Sequence, residues 1–78
     1  MTFQELVEIT KDMDLNSMRV SLGKPADCLE SLSCYKDGDE WVMLEVDDRQ
    51  RVYEERGKEE DIVRKVYGKI KLRRGFLL

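Results

Sequence analysis

The sequence predicts an α+β domain: an N-terminal helix, a three- to four-stranded antiparallel sheet and a C-terminal amphipathic helix, with both helices on one face of the sheet. Three observations predict it. Apolar residues recur at helical spacing at the two ends of the chain, while the middle alternates apolar and polar residues around the turn signals Gly23-Lys24-Pro25, Asp37-Gly38-Asp39 and Asp47-Asp48-Arg49-Gln50. Seventy-eight residues make one domain, 1–78, close to the lower size limit for a self-supporting core, with 73–78 read as a tail that frays.

The first helix starts at a capping box, Thr2-Phe3-Gln4-Glu5, in which the Thr2 hydroxyl accepts from the Glu5 amide and the Glu5 side chain reaches back. Phe3, Leu6, Val7, Thr10 and Met13 follow at helical spacing, so a helix over Phe3 to Asp12 is expected. Met18, Val20 and Leu22 alternate with Ser17, Arg19 and Ser21 as a short strand, which Gly23-Lys24-Pro25 ends. A second strand is expected over Cys28 to Tyr35, with Cys28, Leu32 and Cys34 on one face. Glu30 interrupts its alternation and leaves the first half irregular.

Asp37-Gly38 supplies the positive backbone angle of a tight hairpin turn. Trp41 to Val46 then place Val42, Leu44 and Val46 on one face and Trp41, Met43 and Glu45 on the other, which is read as only partly covered. Arg51 to Glu55 is the next strand, its register undetermined because a one-residue slip exchanges the faces. The last helix begins with Glu59, Glu60 and Asp61, favourable beside the positive end of the helix dipole. Ile62, Val63, Val66, Tyr67 and Ile70 form its apolar stripe, with Arg64, Lys65, Lys69 and Lys71 opposite. Gly68 costs about 1 kcal/mol there relative to Ala, which suggests close packing on the sheet.

Charge is unevenly divided. Seventeen acidic residues lie at or before Asp61 with eight basic ones, leaving −9, whereas Ile62 onward carries six bases and no acid, +6. A negative body suits a basic partner better than nucleic acid. No apolar run approaches the roughly 18 residues of a membrane span. The start Met1-Thr2-Phe3-Gln4-Glu5 lacks a secretory pattern, so a cytoplasmic protein away from membranes is expected. Cys28 and Cys34 read as free, half-buried thiols.

Catalysis is not expected. There is no His to serve as a base near neutral pH, and neither the serines nor the cysteines have a partner to activate them. Asp37-Gly38-Asp39-Glu40 lacks the ligand order of a calcium loop, so no metal or cofactor is expected. What remains is a binding surface on the central hairpin: Asp37, Asp39, Glu40, Trp41, Glu45, Asp47, Asp48, Tyr53, Glu54 and Glu55. Crowded carboxylates repel one another, and a cationic partner would relieve that repulsion. Trp41 and Tyr53 either close the edge of the core or anchor an interface inside an acidic rim.

The order of features resembles one group of small bacterial immunity proteins of polymorphic-toxin and contact-dependent growth inhibition systems. The resemblance rests on Met1-Thr2, Glu5-Leu6, Ser21-Leu22-Gly23, Trp41, Asp48-Arg49, and Glu59-Glu60 ahead of Ile62-Val63. The group usually has Gly after that Arg, where this chain has Gln50. The resemblance implies a protein that binds the toxic domain of a cognate effector and blocks it. Where the toxin is a nuclease with a positive groove, carboxylates can take the place of phosphates. The alternative is a small regulatory or nucleic-acid-associated module that uses the bases from Arg64 to Arg74.

Overall fold

In the computed structural model, which describes residues 1–26 and 28–77, the elements run α1 (Phe3–Thr10), β1 (Val20–Leu22), β2 (Leu32–Asp37), β3 (Glu40–Val46), β4 (Val52–Gly57) and α2 (Glu59–Leu77). The α+β class holds. The capping box forms as the spacing predicts, with both reciprocal bonds present. A further bond comes from the other end of the chain, as the Phe3 N–H donates to Glu59 Oε2 at 3.0 Å. One carboxylate at the start of α2 thereby satisfies an amide that the first turn of α1 leaves free.

The sheet order is β1-β2-β3-β4, and it is not purely antiparallel as expected. β2–β3 and β3–β4 are antiparallel hairpins, whereas β1 runs parallel to β2, pairing Val20 with Leu32 and Leu22 with Cys34. The physical reason is the segment 23–31. β1 advances only about 7 Å, so this segment can carry the chain back past its start without a crossover helix. Two residues in the left-handed region make the corners, Arg19 (φ 58°) and Glu30 (φ 59°). They also explain why the regular strands are shorter than their alternation suggests: Met18 and Arg19 lie in a turn, and β2 starts after Glu30.

The register places Leu32 opposite Glu45, Cys34 opposite Met43 and Lys36 opposite Trp41. Leu32, Cys34 and Met43 pack with Leu6 of α1 and with Ile62, Val63, Val66 and Ile70 of α2 in one buried cluster, against which Trp41 is half-buried. The face of Trp41 and Met43, expected to be partly open, is therefore the one the helices cover. The opposite face is not bare either. Val42 and Val46 are buried, and the Ala26 N–H donates to Ser33 Oγ at 2.9 Å, tying the 23–31 segment across it.

Three local expectations change in the structure. Cys28 sits exposed on the connecting segment and Cys34 is completely buried, so the thiols are not alike. A methyl group at Gly68 would meet nothing within 4 Å, so close packing on the sheet does not explain that glycine. α2 also continues to Leu77 through the stretch read as a tail, with Arg73 held against the rest of the molecule.

Candidate functional site

The ten hairpin residues do not form one patch. The seven residues of β3 separate its two end turns by about 20 Å. Asp37, Asp39 and Glu40 lie at the β2–β3 turn, Asp47 and Asp48 at the β3–β4 turn, and Tyr53, Glu54 and Glu55 along β4. Gly38 (φ 64°) opens the first turn, where Asp37 faces Glu40 across the two-residue loop Gly38-Asp39; the glycine takes the first loop position, not the second that an Asp-Gly loop would give it. Gln50 (φ 66°) closes the second, taking the backbone conformation for which glycine is best suited.

Most of the carboxylates already have cations. Asp37 Oδ2 is 3.0 Å from Arg56 Nη1, and Glu54 Oε2 accepts from Arg56 Nε at 2.9 Å. Bonds from Glu54 and then Asp37 raise the Arg56 pKa. Glu55 holds Lys65 at 2.8 Å, while Glu45 lies 3.1 Å from Lys69 and 3.8 Å from Arg73. Lys65, Lys69 and Arg73 recur every four residues, so they form a single stripe along α2 facing the sheet's acids. The opposition of bases to the apolar stripe hides this role in the sequence. The signal was the four-residue spacing, matched to acids on one face of two strands.

Asp47 builds its own turn. Its Oδ1 accepts from the Arg49 N–H at 2.9 Å and the Arg51 N–H at 2.8 Å, and its Oδ2 from Arg51 Nε at 2.8 Å. Desolvation alone would raise its pKa. The backbone N–H donors of Arg51 and Arg49 and the Arg51 guanidinium outweigh it, and the carboxyl is held below its ordinary value. Asp39, Glu40 and Asp48 differ from all of these. They are exposed and, among the described residues, make no ion pair and accept no side-chain hydrogen bond.

The two aromatic residues separate. Trp41 stacks on Phe3 of α1, ring centroids 5.0 Å apart, and closes the core edge. Tyr53 is 52% exposed. With Glu45, Asp47 and Asp48 it lines an open cleft of about 820 Å³, across from Arg19 and Arg73. Arg73 is not free within that cleft, because its Nη1 donates at 2.7 Å to the carbonyls of both Met18 and Glu30. Arg19 Nη1 bonds the Leu29 carbonyl and Glu30 Oε2.

Chemically, this arrangement can attract and seat a cationic side chain. Among the described residues no three His, Cys, Asp or Glu side chains converge as a metal site would require. Burial, with the Glu59 charge adding to it, pushes the Cys34 thiol up to about 11, which keeps it protonated and inert at neutral pH. No described helix is long and apolar enough to cross a membrane. The molecule is thus a small α+β domain with a charged, mixed-sheet scaffold. No family model, curated protein or solved structure matches the chain.

Proposed function

We propose that this protein is an antitoxin-like immunity protein, which binds a basic toxin domain in the cytoplasm and neutralises it through the acidic hairpin. The observation that carries this reading is the division among the hairpin carboxylates. Among the described residues, Asp39, Glu40 and Asp48 have no internal cation, so a partner's Arg or Lys can pair with them without breaking an ion pair seen in the fold. The open cleft beside Asp48 adds the exposed Tyr53 ring, over which a guanidinium can stack. Charge complementarity of this kind speeds encounter and disfavours acidic partners. The sequence resemblance to immunity proteins points the same way.

The basic-helix alternative draws less support, because Lys65, Lys69 and Arg73 already bond within the molecule. The test is binding to the variable C-terminal domain of a large secreted protein encoded immediately upstream. Asp39→Lys, Glu40→Lys and Asp48→Lys combined should weaken that binding at least about tenfold, mainly through slower association. If the upstream product does not bind, or if the triple variant binds unchanged, the reading fails.

A further inference from the structure

Among the described residues, the three most exposed large apolar side chains all belong to one edge of the sheet, though not to one of its faces. Tyr53 (52%) and Leu72 (69%) lie on the helix-covered face of β4, the outer strand of the sheet, with Leu72 reaching it from α2 above, and Val52 (61%) lies on the opposite face. Tyr53 and Leu72 line a groove together with Gly68, where the missing side chain leaves open space. Exposed apolar surface concentrated along an unpaired strand is the signature of a surface that pairs with another chain.

The backbone at this edge is ready for such pairing. The Asp47 N–H donates to the Arg51 carbonyl at 3.0 Å, which fixes the phase of the antiparallel ladder. Arg51, Tyr53 and Glu55 turn their backbone groups toward β3. Val52, Glu54 and Arg56 turn theirs outward, where no further strand among the described residues meets them. β4 contains no proline to blunt that edge.

We infer that β4 pairs antiparallel with β4 of a second copy, in the register that places Tyr53 on the two-fold axis. The strand's own charges select that occupant and that register. Centring on Glu54, Glu55 or Arg56 sets two like charges directly opposite each other, which is destabilising. Centring on Val52 draws Gln50, held at φ 66° in the turn, into the ladder. Centring on Tyr53 sets Arg51 opposite Glu55 of the second copy, and Glu55 opposite its Arg51. The outward groups of Val52 then meet those of Glu54 in the second copy as a hydrogen-bonded pair. The two Tyr53 rings meet at the closer, non-hydrogen-bonded position on the helix-covered face. The groove that each Tyr53 shares with Leu72 lies beside this pair, so the dimer covers apolar surface that the monomer leaves wet. Asp39 and Glu40, at the β2–β3 turn, lie outside this edge, whereas the dimer covers Tyr53, so the contact proposed over that ring requires the monomer.

Sedimentation of the isolated protein, with no toxin present, tests this independently of the proposed function. At about 100 µM, wild type should sediment at twice the 9.2 kDa chain mass. Arg51→Glu and Glu55→Arg should each weaken the dimer at least about tenfold by setting like charges opposite. An equimolar mixture of the two variants should form a heterodimer, because each reversed charge then meets its opposite. Val52→Pro, at the first residue of the strand, removes an outward N–H and should also give a monomer. Far-UV circular dichroism selects variants that are folded, and Val52→Pro carries the test if a charge variant is not. A monomeric wild type overturns the inference. So does a dimer indifferent to Arg51→Glu and Val52→Pro, or a mixture of folded charge variants that stays monomeric.

Discussion

Removing the Arg73 guanidinium should open the corner that lets β1 run parallel to β2. Its Nη1 donates to the Met18 and Glu30 carbonyls, both at 2.7 Å, and these flank or belong to the two left-handed residues that form the corner. Each left-handed residue costs roughly 1–2 kcal/mol, so the corner exists only because something holds it. A hydrogen bond from a charged donor contributes about 1.5–3 kcal/mol net. The Glu30 bond lies at an exposed position, which places Arg73→Ala at a total loss of about 2–3 kcal/mol. For a chain of this length that corresponds to a fall in Tm of about 10–20 °C. In urea, the midpoint should drop with an unchanged slope. Arg73→Lys should recover about half the loss, since an ammonium lacks the planar fork. Native-state hydrogen exchange should quicken at the Leu32 amide, which donates to the Arg19 carbonyl at the same corner. The control is Arg64→Ala, which removes an exposed helix pair and should cost under about 0.5 kcal/mol. The reasoning is refuted if Arg73→Ala is no more destabilising than that control.

Four further outcomes are expected. Gln50→Gly should stabilise by about 0.5–1 kcal/mol in chemical denaturation, because it relieves a positive φ; a loss of stability would contradict this. Gly68→Ala should add about 1 kcal/mol, since the new methyl group meets no atom, and a destabilised variant would show that the glycine is needed for another reason. In native protein a thiol reagent should modify Cys28 and spare Cys34 until the protein unfolds; equal rates at both would refute the burial argument. The Cys34 thiol, raised in the folded state from 9.0 to about 11, binds its proton more tightly there than in the unfolded chain. Its contribution is fully present below pH 9 and is lost as pH rises toward 11, by up to about 2–3 kcal/mol. Wild type should therefore lose more stability than Cys34→Ala across that window, and parallel pH profiles would sink the argument.

Local signals were legible in the sequence wherever the cause lay within a few residues. The capping box at Thr2, the place of the turn at Gly38 and the apolar stripe of α2 depend on neighbours in the chain, and each formed. The parallel pair did not announce itself, because Val20 and Leu32 meet through corners at Arg19 and Glu30, residue types with no preference for positive φ. The faces of β3 were separated correctly by alternation, but which one met the helices was not. Val42 and Val46 look as apolar as a core, while Glu45 on the helix-covered face seems misplaced until Lys69 and Arg73 are seen beside it. The acidic hairpin was legible as composition only. Its division into paired and unpaired carboxylates depends on contacts such as Glu55 with Lys65, ten residues apart and on different elements.

That division sets what the surface can tolerate as sequences diverge. Replacing Glu45, Asp47 or Glu55 strands a cation or undoes a turn, so change at those positions is checked by folding itself. Asp39, Glu40 and Asp48 carry no such obligation, and substitutions at sites of this kind stay within about 0.5 kcal/mol. Lineages could exchange charge, size or aromaticity at these three positions, one at a time, while the architecture beneath them remained the same.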